Sequence, residues 1–364
     1  MKFAKMTALV ALMMTTAPAL AEITVTDLDG RQVTLEAVPE RVALGFYYED
    51  YLAVTGAEGA DKIVALSRAP WAEWRPAQWA AYVARFPALA GAVDFGSTDD
   101  GSFSAEALIA AQPDVALLAS WQTEALGAPG VAAIEAAGIK VIALDYNAQT
   151  LERHVLSTQV LGAVMGQPER AEALAQMYRA KTEDTLARVA KAGPSHKKIY
   201  VELAQKGPGE IGNSYGKGMW AGVIELVGGD NIARGQIENW GPLAAEYVLA
   251  ERPDVILLAG SEWLNKPEAV ILGFGADEGA ARAKMAAYTG RPGWADLPAV
   301  QSGEVWGVYH GGNRTLSDFV YARAIAKALY PAEFADVDPA AELAEFYRAW
   351  MPIAADGLFV TRLQ

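Results

Sequence analysis

Arginine and aromatic side chains recur along this 364-residue chain at positions from which they could grip one ligand together. In the first half these are Tyr47, Tyr48, Arg68, Trp71, Arg75, Trp121 and Tyr146. In the second half they are Asn213, Tyr215, Trp240, Trp263, His310 and Arg314. Arginine offers a planar fork of donors that fits a carboxylate or similar oxyanion, and it stays charged at ordinary pH. Aromatic walls add large contact area for few rotatable bonds. The set suits a bulky, planar or chelated anion. Arg68 and Arg314, which follow strands in opposite halves, are expected to hold its charge from two sides. Any one tryptophan is as readily a core residue as a ligand wall. In the run Trp71, Trp74, Trp79, Tyr82 the spacing only roughly follows one helical face. Trp79 and Tyr82 read as core packing, whereas Trp71 and Arg75, nearer the loop, are assigned to the ligand.

Two other chemistries have weaker support. Gly212-Asn213-Ser214-Tyr215-Gly216 satisfies G-x-S-x-G, and Asp254 and His310 follow in the chain order of an α/β hydrolase. A nucleophile elbow places its serine on a sharp turn directly after a strand, yet Gly207, Pro208 and Gly209 intervene here. A secreted serine hydrolase using Ser214 is therefore the alternative from a different class, and no enzymatic activity is expected. The histidines, at 154, 196 and 310, lack short ligand spacing, and cysteine is absent. No directly bound metal and no cofactor is expected; a metal would arrive inside an organic chelator.

Positioning these side chains requires strands, because open α/β sheets bind ligands at the carboxyl ends of their strands. The plainest strand signal is repeated. Residues 106–119 read EALIAAQPDVALLA, and residues 246–259 read EYVLAERPDVILLA, with eight of fourteen identical. Each copy runs from a glutamate through a short apolar helix to Pro-Asp, where proline ends the helix. An unbroken apolar run follows, as in a strand covered on both faces. The duplication predicts an α/β fold of two lobes, each with a mainly parallel sheet flanked by helices and a cleft between them.

Around the copies, Ile23, Val25, Val33 and Leu35 alternate about Asp29-Gly30, which predicts a hairpin. Strands are predicted over 41–45, 62–66, 94–96, 140–144, 198–203 and 305–309, with a helix after Tyr48 ending near Gly56. Residues 150–192 carry helical periodicity alone, split by Gly166 and Pro168. This gives a signal segment 1–21, a first lobe 22–149, a helical connection 150–192 and a second lobe 193–364 closed by a terminal helix near 340–350.

The leader is read from Lys2 and Lys5 before an apolar run and from Ala19-Leu20-Ala21, a small-x-small site with cleavage expected after Ala21. Its export would leave 28 basic against 44 acidic residues. Such a surface repels nucleic acid and anionic lipid. A periplasmic monomer, stable without disulfides, is expected.

The order of elements resembles the periplasmic substrate-binding proteins of ferric-siderophore, haem and cobalamin ABC importers. The resemblance rests on DLDGRQVTL, PERVALG, the two repeat copies, the helical connection, LVGGDNIA and LPAVQSGEVWGV, which together span most of residues 22–310. It implies two lobes on a rigid helix with little closure, a metal chelate held in the cleft, and delivery to the importer's permease subunits. A ferric siderophore is the leading ligand, ahead of haem, cobalamin or an oxyanion such as molybdate. The resemblance also gives Glu106 and Glu246 a role in permease docking. By position alone each is only a favourable charge at a helix start, contributing about 0.5 kcal/mol.

Overall fold

The structure, a computed structural model, describes residues 22–147 and 150–363. The expected leader lies outside the described residues. The chain opens with an antiparallel hairpin, β1 (Ile23–Thr26) and β2 (Gln32–Leu35), which pairs Ile23 with Leu35 around the Asp29-Gly30 turn. The buried Asp27 carboxylate holds that turn by accepting from the backbone N–H of Asp29 and Arg31.

The first lobe follows as β3 (Val42–Leu44), α1 (Tyr48–Ala60), β4 (Ile63–Leu66), α2 (Pro76–Arg85), β5 (Val93–Asp94), α3 (Ala105–Ala110), β6 (Val115–Ala119), α4 (Ser120–Glu135) and β7 (Lys140–Leu144). Its sheet is parallel throughout, in the order β5-β4-β3-β6-β7. Helix α1 runs past its expected end. Gly56 takes a positive φ of 66°, which glycine tolerates, and the helix kinks there and continues to Ala60.

Two helices then cross to the other lobe, α5 (Leu151–Val164) and α6 (Pro168–Ala192). They approach so closely that a Cβ on Gly162 would lie 2.1 Å from the Ala171 methyl. A glycine is required at that crossing, where the two helices pack against each other.

The second lobe contains β8 (Lys198–Leu203), β9 (Asn213–Tyr215), α7 (Met219–Leu226), β10 (Asp230–Asn231), β11 (Trp240–Pro242), α8 (Ala245–Glu251), β12 (Val255–Gly260), β13 (Gly273–Phe274), α9 (Glu278–Thr289), α10 (Pro298–Gln301), β14 (Val305–Tyr309), α11 (Asp318–Leu329), α12 (Pro339–Trp350), β15 (Gly357–Leu358) and β16 (Val360–Arg362). Its sheet runs β10-β8-β12-β14-β16, parallel except for β16. The expectation that a helix closes the chain needs correction. After α12 the chain returns and lays β16 antiparallel against β14. A three-residue edge strand carries too short an apolar alternation to be read from sequence.

The repeat folds as its pattern requires. Short helices α3 and α8 lead into β6 and β12, and both strands are buried at every residue. One hydrophobic core runs through both lobes, from Val25 to Val360. The lobes are also tied by hydrogen bonds. The Leu316 N–H donates to the Asp50 carboxylate at 2.7 Å, and the Tyr347 hydroxyl donates to Glu49.

Candidate functional site

The carboxyl ends of β3, β12 and β14, with the segment after β4, converge on the space between the lobes. A cavity of about 400 Å³ opens there. The first lobe supplies Glu73, Trp74 and Arg75; the second supplies Leu203, Gln205, Ser261, Trp263, Asn265, Lys266, His310, Gly311 and Arg314. A narrow crevice walled by Phe46, Tyr47 and Tyr48 also meets Arg75 and Arg314. A larger cavity, about 620 Å³, lies beside α4, but none of the arginine or aromatic candidates lines it. The inter-lobe cavity is where the chemistry is concentrated.

Two guanidinium groups dominate it. The Arg314 guanidinium lies 4.5 Å from the centre of the Phe46 ring, and that of Arg75 lies 5.8 Å from the same ring and 5.4 Å from Tyr48. Arg75 also donates to the Tyr48 hydroxyl. Among the described residues, neither makes an ion pair within 4.0 Å. The Arg314 Nε is buried and has no hydrogen-bond partner. Burial, and then the neighbouring charge of Arg75, hold Arg314 below its ordinary pKa. Burial also works against the charge on Arg75. Tyr48, Tyr309, Glu49 and Glu262 outweigh it and keep that group above its ordinary value. Glu49 and Glu262 act on Arg75 from beyond ion-pair distance, so Arg314, whose charge is opposed by burial and by Arg75, is the group most favoured to meet an arriving anion. Lys266, beside the Trp263 ring at 5.8 Å and donating to Gln205, adds a third cation to the lining.

His310 is not one of these cations. Burial, followed by the fields of Arg314 and Arg75, pushes its pKa down to about 3. Its Nδ1 accepts from the Trp220 indole N–H at 3.1 Å, so the neutral ring carries its proton on Nε2. Tyr215, Trp263 and Trp220 surround it, with ring centres at 6.0, 6.3 and 6.4 Å.

Of the residues singled out in the sequence, Arg75, Trp263, His310 and Arg314 line the cavity, and Tyr47 and Tyr48 line the crevice. Tyr215 stands against His310, and its cross-strand partner is Trp240. Directly paired residues of antiparallel strands share a face. Trp240, 65% exposed, therefore stands on the same face of the ribbon as Tyr215. Asn213 lies on the same ribbon, opposite Pro242. Trp121 and Tyr146 stand behind the crevice, edge-on to Phe46 at 5.5 Å and to Tyr47 at 5.0 Å.

Three assignments are corrected. Tyr146 is fully buried, with its hydroxyl hydrogen-bonded to Thr158 Oγ1 at 3.2 Å, and is a core residue. Trp71 is 1% exposed and lies flat on Tyr48 at 4.2 Å, with Trp79 and Tyr82 edge-on to it. It is a core residue, and its neighbour Trp74 reaches the cavity instead. Arg68 donates to the Ala92 and Ala90 carbonyls of its own lobe. It lines neither the cavity nor the crevice, and the arginine that meets Arg314 there is Arg75.

The hydrolase constellation is not assembled. Ser214 lies within strand β9, opposite Gly241, and faces away from Tyr215 and therefore from His310. Asp254 precedes β12 and accepts from the Lys198 N–H, at the opposite end of the sheet from His310, which follows β14. Glu106 and Glu246 are both exposed in the first turns of α3 and α8, and neither makes an ion pair among the described residues. Ser104 caps α3 by accepting from the Ala107 N–H at 3.1 Å.

Sequence reasoning missed Phe46, Trp74, Lys266 and Glu262. Phe46 precedes Tyr47, and Trp74 and Lys266 lie a few residues beyond the strand ends. A wider window past each strand would have taken them in. Glu262, two residues past β12 and beside Trp263, lay inside that window, but nothing local says that its partners are in the other lobe.

A sequence model of the periplasmic binding protein family matches residues 47–308. Among solved structures, a TroA-like periplasmic binding protein designated FepB, from Veillonella parvula, superposes with a TM-score of 0.89. It shares 33% identity over 94% of this chain and 100% of its own. A molybdate-binding periplasmic protein, MolA of Haemophilus influenzae, shares the fold with a TM-score of 0.66 at 18% identity, over 92% of this chain and 99% of its own. Over 180 residues, 48% of this chain, the sequence is 28% identical to the vitamin B12-binding protein of Salmonella typhi. That match spans 62% of the relative's length.

Proposed function

The chain belongs to the periplasmic binding protein family, and from that premise we propose that it serves an ABC importer by carrying an anionic metal chelate, a ferric siderophore, between its lobes. The observation that carries this reading is the pairing of Arg75 and Arg314 across a tryptophan-lined cavity, with no carboxylate in an ion pair with either. The chain as a whole is strongly acidic, at −14 formal charge, so a cationic cavity runs against its composition. Arg75, Arg314 and Lys266 supply donors to the chelate's oxygens. Trp74, Trp263 and Trp240 supply flat apolar surface, and Tyr47, Tyr48 and Tyr215 form the inner walls. The metal enters as cargo, with no ligand from the protein.

Glu106 and Glu246, one exposed carboxylate per lobe, dock the loaded protein on the permease. Export removes residues 1–21, and the protein acts as a periplasmic monomer. Native mass spectrometry and an absorbance spectrum of protein purified from its own periplasm test the ligand. A visible charge-transfer band with a matching mass is expected. A Soret band, or the mass of a corrinoid or of molybdate, would overturn the ferric-chelate reading. The intact mass of the same sample should begin at Glu22.

A further inference from the structure

We propose that Glu262 is a positioning residue for the inter-lobe site: a carboxylate of the second lobe that caps helix α2 of the first and thereby holds Arg75 in place. The proposal rests on the reading of the inter-lobe cavity as the ligand site.

The first turn of a helix carries N–H groups with no partner inside the helix. In α2 they are all accounted for. Pro76, at the first position, has none. The Ala77 and Gln78 N–H groups both donate to Oε2 of Glu262, at 2.7 and 2.9 Å. The Trp79 N–H donates to the Arg75 carbonyl at 2.9 Å. The residue at the N-cap position is Arg75 itself, whose side chain has no acceptor and caps nothing. A cap that helices usually take from their own chain end comes here from a residue 184 positions away.

Glu262 is itself fixed. It is 1% exposed, and its Oε1 accepts from the Tyr309 hydroxyl at 3.2 Å and the Phe274 N–H at 3.3 Å. Both carboxylate oxygens are thus occupied, one by each lobe. A buried carboxylate is tolerated when several donors and a nearby cation face it. The nearby cation is Arg75, at the start of the helix that Glu262 caps. The next residue, Trp263, lines the cavity. A single dipeptide therefore walls the site with one side chain and straps the opposite lobe with the other.

The test uses the full mature chain and the variants E262A and E262Q, the second of which keeps the side-chain volume and one acceptor oxygen. Hydrogen exchange at the Ala77 and Gln78 amides should speed up by roughly ten- to hundredfold in E262A. Exchange in β12 should stay as in the parent, and E262Q should fall between. The Arg75 Nε–H resonance, assigned through R75K, should shift and broaden in E262A. Folded E262A with unchanged exchange at Ala77 and Gln78 overturns the strap. Faster exchange with an unmoved Arg75 resonance overturns the positioning role. With iron(III) tris-catecholate as probe, the affinity losses of E262A and R75A should be less than additive; fully additive losses also overturn the positioning role. A parent that does not take up this probe counts against the ferric-chelate reading alone, and the exchange and resonance data still decide the role of Glu262.

Discussion

The two copies of the repeat are built alike up to the last residue of the strand and then part. Counted from the repeated glutamates, Gln122 and Glu262 occupy the same place. In the first copy the chain enters α4 at once, and Gln122 turns back so that its Oε1 accepts from the Ala119 N–H at 3.0 Å. In the second copy the chain runs on as a loop, and Glu262 reaches across to the backbone of α2. One copy closes on itself and the other joins the lobes. Arg68 and Arg75 divide in the same way, the first on carbonyls of its own lobe and the second facing the cavity. What separates the two uses is where folding places the side chain, since Arg75 lines the inter-lobe cavity and Arg68 does not.

The comparison can be pressed hardest at the repeated glutamates, where the two copies should act together. With Glu106 and Glu246 both changed to alanine, ligand-driven stimulation of the importer's ATPase should collapse while the ligand's dissociation constant holds. Normal stimulation would return both residues to the role of helix-start charges.

The arginines come next. R75A and R314A should each weaken binding of the ligand that copurifies with the protein by roughly ten- to hundredfold, since a hydrogen bond to a charged group contributes about 1.5–3 kcal/mol in such a site. R75K and R314K should also lose affinity, because the fork is lost although the charge is kept. R68A should register in the unfolding midpoint. Isothermal titration and urea melts of the set separate the two uses, and a binding loss in R68A equal to that in R75A would erase the distinction.

Stability offers a third contrast. E262A strands three backbone N–H groups and the Tyr309 hydroxyl and should cost about 4 kcal/mol or more, whereas Q122A strands one N–H and should cost about 1–2 kcal/mol. Equal costs in denaturant titrations would mean that the bond across the lobes carries no more than the one within a lobe.

His310 gives a smaller effect, with a defined sign. The folded protein keeps it neutral to about pH 3, while the unfolded chain takes up a proton below its ordinary value of 6.5. Its contribution is therefore full above pH 6.5 and is lost as pH falls from there toward 3, at up to about 1.4 kcal/mol per pH unit. H310N should flatten the decline in stability between pH 7 and pH 5. An identical slope would show the ring to be free to protonate.

The least change is expected in overall shape. The continuous core, the α5–α6 pair and the Glu262 bond leave little freedom for lobe closure. Scattering curves of free and loaded protein should nearly superimpose, and a marked fall in radius of gyration on loading would break this account.

The sequence by itself determined the two lobes. A helix followed by Pro-Asp and an unbroken apolar run is a local instruction, and its repetition doubles the architecture. Hairpin, helical connection and the longer strands were legible for the same reason, since period and punctuation act over a few residues. The positions at which cleft residues arise were legible too, because ligands collect at strand ends. Local rules did not reach further. Trp71 and Trp74 are three residues apart in one short segment, yet the first is packed under Tyr48 and the second faces the cavity. Arg68 and Arg75 differ in where folding places them. Strand β16 is ordered by β14, some fifty residues earlier, and not by its own three residues. Glu262 finds its helix in the other lobe. Each of these depends on partners brought together from distant parts of the chain, and only the tertiary structure decides them, because burial and hydrogen bonding are properties of the assembled neighbourhood and not of the residue that enters it.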